Sequence, residues 1–155
     1  MEDIMEREYY EREITVRLFQ ASNALQTYLD KILKEHNLTS KQFFMMIILG
    51  SFKDNPKIGE IAERFGTSHQ NVKQVLLKLQ KQGFIELYKD KKDSRIIRTR
   101  FTKKANHFWS ERDTQDEKTM NQLYSPLSIN ELETFRTSLL TTIEEIERLS
   151  YVREQ

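Results

Sequence analysis

The sequence predicts a mainly α fold, α+β only through one short hairpin set among long helices. Three observations carry that expectation. Four Gly and two Pro in 155 residues leave too few turn signals for a barrel or sandwich of short strands. Apolar residues recur at steps of three and four near both ends of the chain, the period of an amphipathic helix. Residues 84–101 read as strand, charged tip and strand.

Length and composition narrow the class. At 155 residues the chain is about one domain long. With 37% apolar and 32% charged residues it can bury a modest core under a solvated surface. The absence of Cys excludes disulfides, thiolate zinc sites and cysteine redox chemistry. No apolar run approaches the ~18–20 residues of a membrane span. The acidic start MEDIMEREYYEREI lacks the basic-then-apolar order of a secretory signal. A soluble, cytoplasmic protein without a membrane segment is expected.

The first helix is expected from about Tyr9 to His36, with Ile14, Leu18, Ala21, Leu25, Tyr28, Leu29 and Ile32 along one stripe. That length exceeds the usual globular helix, and its stripe fits either ordinary core or packing against another chain. Thr39-Ser40-Lys41-Gln42 is a capping box opening a second helix. Its body, Phe43 to Phe52, is apolar on nearly every side, which predicts a buried strut. Asn55-Pro56 ends the loop behind it, because the residue before Pro avoids the helical region. A short helix then carries Ile58, Ile61, Ala62 and Phe65 on one side. Gly66 supplies a tight turn, and Ser68 caps a further helix reaching Gln82. That helix turns Val72, Val75, Leu76 and Leu79 inward and leaves His69, Gln70, Asn71, Lys73, Gln74 and Lys78 outside. Two short helices joined through a Gly turn form a helix-turn-helix.

Gly83 closes the helix, and residues 84–88 and 95–101 are the expected strands around the tip Lys89-Asp90-Lys91-Lys92-Asp93-Ser94. On the return strand Ile97, Thr99 and Phe101 share one face, and Ile96, Arg98 and Arg100 the other. A basic hairpin directly after a helix-turn-helix is a winged helix. Thr102 caps a helix from Lys103 to about Tyr124, Ser125-Pro126-Leu127 interrupts it, and Ser128-Ile129-Asn130-Glu131 is a second capping box. The final helix runs to about Arg153, with Leu132, Phe135, Leu139, Ile143, Ile146 and Leu149 spaced by three and four.

The net charge of +1 hides a partition. Residues 57–104 hold thirteen Lys or Arg against five Asp or Glu, whereas the rest of the chain holds twelve against nineteen. A basic centre between acidic ends suggests that the winged helix meets a polyanion.

The run IGEIAERFGTSHQNVKQVLLKLQKQGFIE, then Asp93-Ser94-Arg95 in the hairpin and Phe101-Thr102 after it, resembles the MarR family of bacterial winged-helix regulators. Leu79 and Gly83 match the Leu-x-x-x-Gly ending of the family's recognition helix, and Asp93 and Arg95 match the Asp-x-Arg of its wing. Phe101 stands where the family has Leu and Ala105 where it often has Gly, both apolar or small exchanges. The resemblance implies a homodimer in which residues 1–38 and 105–155 supply interlocking helices while 39–104 form the DNA-binding lobe. It implies a sequence-specific transcriptional regulator, a repressor, on a pseudo-palindromic duplex.

A recognition helix places its N-terminal residues against base edges in the major groove. The candidates are Ser68, His69, Gln70, Asn71, Lys73 and Gln74, with Lys78 further along on bases or backbone. Gln and Asn match adenine, and Lys the acceptors of guanine. By resemblance Arg95 enters the minor groove, where a narrow A·T stretch concentrates negative potential. Asp93 is then structural, holding the tip and the Arg95 side chain, while Lys91 and Lys92 add sequence-independent attraction to phosphates. The family's response to small aromatic or anionic effectors makes Tyr28, His36, Phe44, Trp109 and Tyr124 the candidate lining of an effector crevice. No cofactor is expected. An enzyme is disfavoured, because adjacent Ser68-His69 and Asp93-Ser94 do not face each other as a nucleophile and base must. The three His (His36, His69 and His107) lie too far apart in sequence to suggest a metal motif. The alternative reading is a winged-helix module that binds another protein instead of DNA, although such modules tend to lose the basic wing and polar helix face.

Overall fold

The computed structural model describes residues 2–153, apart from the side chains of 2–3, 113–115 and 151–153. The element order is α1 (Glu2–Leu33), a 3-10 turn (Lys34–His36), α2 (Ser40–Gly50), α3 (Ile58–Phe65), α4 (His69–Lys81), β1 (Ile85–Lys89), β2 (Ile97–Phe101), α5 (Lys103–Tyr124) and α6 (Ile129–Arg153). Helices therefore dominate, and the sheet is a single antiparallel pair with Ile85 opposite Phe101 and Lys89 opposite Ile97. No helix among the described residues is long and apolar enough to cross a membrane.

The chain divides into two compact units, Met1–His107 and Phe108–Gln155, the division falling inside α5. In the first unit, α2 packs against α1, α3 and α4. Its Phe43, Met45, Met46 and Leu49 are buried together with Leu29, Leu33, Ile61, Val72, Leu76, Leu79, Phe84 and Ile85. Each fully buried side chain of this size contributes about 1.5–3 kcal/mol. The strut is not wrapped on every side, however: Ile47 is 44% exposed, so α2 keeps one open flank. The α2 capping box forms, with Thr39 Oγ1 accepting from Gln42 N–H at 3.3 Å and Gln42 Oε1 accepting from Thr39 N–H at 2.9 Å.

In the second unit, α5 and α6 are joined through a turn in which Ser128 and Glu131 cap α6 reciprocally, at 2.8 Å and 3.4 Å. Most of the α6 stripe lies open in the single chain: Phe135, Ile143, Ile146 and Leu149 are all about half exposed. Ile4, Tyr10 and Ile14 of α1 are likewise exposed.

Several boundaries shift from the sequence expectation, two of them by more than a residue at an element's start. α1 starts at Glu2 rather than Tyr9, and β2 starts at Ile97 rather than Arg95. The early start of α1 is supported by i,i+4 ion pairs, Arg7 with Glu11 at 2.8 Å and Glu8 with Arg12 at 3.6 Å, which favour a helix without an apolar stripe. The late start of β2 comes from carboxylates that fold residues 90–96 into a turn.

Candidate nucleic-acid interface

The junction of α3 and α4 is built from local chemistry. Lys57 N–H donates to the Glu60 carboxylate at 2.7 Å at the start of α3. Gly66 ends the helix in the left-handed region at φ 64°, and Thr67 N–H then returns to the Ala62 carbonyl at 3.1 Å. A residue with a Cβ is disfavoured in that conformation. Ser68 Oγ accepts from Asn71 N–H at 3.3 Å and starts α4. Val72, Val75, Leu76 and Leu79 are buried, which fixes the rotation of α4 and forces its polar residues outward.

The hairpin is organised by two aspartates. Asp90 Oδ1 accepts from the backbone N–H groups of Lys92 at 2.8 Å and Asp93 at 3.1 Å, and its Oδ2 accepts from Arg98 Nε. The Arg98 hydrogen bond first, then the two N–H groups, pull the Asp90 carboxyl down from 3.8 to about 2. Asp93 accepts from Arg95 three times, from its backbone N–H at 3.0 Å, Nε at 3.1 Å and Nη2 at 3.0 Å. These bonds hold the Asp93 carboxyl below, and the Arg95 guanidinium above, their ordinary ranges. Arg100 is paired with Glu86 at 2.6 Å.

Between the start of α3, the exposed side of α4 and the wing lies an open cavity of about 920 Å³. Lys57, Ile58, Gly59 and Glu60 line one wall, His69, Gln70, Lys73, Gln74 and Leu77 the second, and Arg95, Ile96 and Ile97 the third. Its cations are Lys57, Lys73 and Arg95, and its one lining carboxylate, Glu60, already accepts the Lys57 N–H. A concave, net positive surface edged with amides suits a polyanion presenting hydrogen-bonding edges.

Residues 36–96, spanning the α2–α3–α4–wing segment, match the family model described as "MarR family". The transcriptional repressor MprA of Escherichia coli K12 is 28% identical over 130 residues, which covers 81% of this chain and 73% of MprA. Over residues 36–96 the chain is similar to the MarR family. The homoprotocatechuate degradative operon repressor of Escherichia coli is 24% identical over 122 residues, covering 77% of this chain and 80% of that one. Among solved structures, the S. aureus MepR–DNA complex superposes with a TM-score of 0.78 at 19% identity, covering 86% of this chain and 97% of MepR. At that identity the likeness speaks for the fold.

Within this segment the recognition-helix candidates separate. His69, Gln70, Lys73 and Gln74 line the cavity, whereas Asn71 and Lys78 are exposed elsewhere around α4. Ser68 is the cap, and Asn71 Nδ2 donates back to Thr67 Oγ1 at 3.2 Å. His69 lies over Gly59, where an added Cβ would stand 3.3 Å from the ring. Lys91 and Lys92 are exposed at the wing turn, and the Arg95 side chain is 89% exposed despite its pairing. Two residues were missed from the sequence. Leu77, 48% exposed, carries the cavity wall one turn beyond Lys73, and its signal is an apolar residue on the polar side of an amphipathic helix. Lys57 also lines the cavity, signalled only as a basic residue at a helix start.

The effector-crevice candidates fall in both units. Tyr28 is partly exposed on α1, His36 Nε2 sits 3.3 Å from the neighbouring Glu35, and Phe44 on α2 is half-buried with its ring 6.1 Å from Phe43. Trp109 meets Phe108 edge-on at 5.2 Å, and Tyr124 ends α5. A second cavity, about 530 Å³, is lined by other residues, Phe52 to Pro56 with Glu60, Glu63, Arg64 and Arg98. Among the described residues no three His, Cys, Asp or Glu gather as a metal site.

Proposed function

We propose that this chain is a MarR-family transcriptional repressor that acts in the cytoplasm as a homodimer, binding a pseudo-palindromic duplex with half-sites ~10 base pairs apart. Its relatives MprA and the homoprotocatechuate operon protein are named as repressors, and MepR is described in complex with DNA. The observation that carries the reading is the cavity between α4 and the wing, which joins an amide-rich helix face to an outward arginine.

In this reading the N-terminal half of α4 enters the major groove. Gln70 and Gln74 pair with adenine edges, Lys73 reaches guanine or phosphate, and the Leu77 side chain meets a thymine methyl. Arg95 enters the adjacent minor groove, and Lys91 and Lys92 follow the backbone. Residues 39–104 make these contacts, while 1–38 and 105–155 carry the dimer. Exposed apolar stripes on α1 and α6 favour that division, since unpartnered stripes of this length mark association surfaces. Small aromatic or anionic molecules are the class of effector this reading names, with Tyr28, His36 and Phe44 of the first unit as candidate contacts.

Selection of bound duplexes from a random pool, followed by titration of the selected sequence, tests the reading. A two-fold symmetric consensus bound by a sedimenting dimer is expected. No measurable duplex binding at low salt would overturn it in favour of a protein-binding winged helix.

A further inference from the structure

We infer that Asp90 and Arg98 form a positioning clamp that ties the wing tip to the α2–α3 loop and thereby places Arg95 for its groove. This rests on the DNA-binding reading above. A two-stranded hairpin is at best marginally stable alone, so the wing needs a support. The base of β2 has one: Thr99 N–H donates to the Pro56 carbonyl at 3.2 Å, and Lys57 bridges Arg98 in antiparallel fashion. Those contacts fix β2 but not the turn beyond it.

The clamp extends the support outward. Arg98 donates one N–H to the Asn55 carbonyl at 2.7 Å and another to Asp90. Asp90 in turn holds the backbone N–H of Asp93, and Asp93 holds the Arg95 guanidinium. A continuous hydrogen-bonded path thus runs from the loop to the wing-tip cation, with two carboxylates as its joints. Exposure separates the two arginines. The Arg98 and Asp90 side chains are 27% and 14% exposed, whereas Arg95 is 89% exposed. An exposed ion pair by itself orders its members weakly. Asp93 can orient Arg95 because its own backbone is gripped from behind, and a cation ordered before binding loses less freedom on binding.

The test is a double-mutant cycle on the duplex selected by the wild-type protein, with Arg95→Ala, Arg98→Met and the double variant. Arg95→Ala is expected to weaken binding about tenfold or more. Arg98→Met, which removes no groove contact, should weaken it several-fold, and the double variant should bind no worse than Arg95→Ala alone. Additive losses, or wild-type affinity in Arg98→Met, overturn the clamp. Arg98→Lys should rescue only in part, because an ammonium cannot present the planar fork that spans Asp90 and Asn55. Asp90→Asn, nearly the same shape, serves if Arg98→Met fails to fold. Hydrogen exchange of the free protein supplies a readout without DNA. The Lys92 and Asp93 amides should exchange faster in Arg98→Met while those of α4 keep their protection. Unchanged exchange at Lys92 and Asp93 overturns the clamp even if no duplex is bound, and an absence of duplex binding by the wild type overturns only the DNA-binding reading.

Discussion

The salt dependence of duplex binding distinguishes the interface drawn from the structure from one drawn from charge counting. Each phosphate neutralised releases counterions, and log K falls with log salt at about −0.9 per contact. The exposed cations on α4's cavity side and the wing turn are Lys73, Lys91, Lys92 and Arg95. Two protomers present about eight, and Asp93 beside each Arg95 offsets up to one per protomer, leaving about six to eight contacts and a slope of about −5 to −7. From 50 to 200 mM salt the affinity should then fall roughly 10³- to 10⁴-fold. Counting the excess charge of residues 57–104 instead gives about sixteen contacts per dimer and a slope near −14. The difference arises because the excess also counts cations away from α4's cavity side and the wing turn, Arg64, Lys78, Lys81, Lys103 and Lys104 among them. Arg98 and Arg100 cancel against Asp90 and Glu86 in either count. Fluorescence anisotropy of a labelled duplex across that salt range measures the slope. Lys73→Ala should reduce its magnitude by about two, one contact per protomer. A slope beyond about −12 would mean that cations of residues 57–104 outside this set also reach phosphates, and one shallower than about −2 would mean that these cations do not meet a backbone.

Four further outcomes follow from the packing and charge. Leu76→Ala, at a fully buried position of α4, should lose about 2–5 kcal/mol in chemical denaturation, and a loss under about 1 kcal/mol would contradict that burial. Gly66→Ala adds a Cβ with no atom within 4 Å, so its cost of about 1–2 kcal/mol comes from the left-handed backbone alone; an unchanged midpoint would refute that conformation. Gln82→Leu removes the acceptor of Gln42 Nε2 at 3.0 Å and the donor to the Asn37 carbonyl at 2.6 Å, which should cost about 1–3 kcal/mol, with part recovered in Gln42→Leu/Gln82→Leu. Asp90 titrates lower in the folded protein than its ordinary 3.8, so its stabilisation of the wing is complete above that value and fades as pH falls toward about 2; its carboxyl resonance should report that midpoint, and one near 3.8 would contradict the pairing.

Much of the fold was legible because helix ends are decided by local chemistry. The capping boxes at Thr39–Gln42 and Ser128–Glu131 form as their spacing requires, and α5 spans Lys103–Tyr124 as expected. The start of α1 escaped because apolar periodicity was the wrong signal there, where ion pairs four apart, Arg7–Glu11 and Glu8–Arg12, sustain the helix. The exposed flank of α2 escaped for the converse reason. A segment apolar on all sides reports hydrophobicity but not how many neighbours exist to cover it, and among the described residues Ile47 stays 44% exposed.

The candidate site shows the same division between local and distant causes. Consecutive polar residues from Ser68 to Asn71, with Lys73 and Gln74, span more than one turn and so point in several directions. Only the burial of Val72, Val75, Leu76 and Leu79 selects the side that faces the wing, and it gathers Gln70, Lys73 and Gln74 with the apolar Leu77 while directing Asn71 elsewhere. Arg95 and Arg98 make the point more sharply. They are the same residue type three positions apart in one basic hairpin, and composition treats them alike. One points out with a carboxylate two residues away. The other is covered by a carboxylate eight residues back and a carbonyl forty-three residues back, partners that only the folded chain brings within reach. A basic stretch therefore bounds how many cations a wing can offer. The number it does offer is set by the acids and carbonyls folded against it.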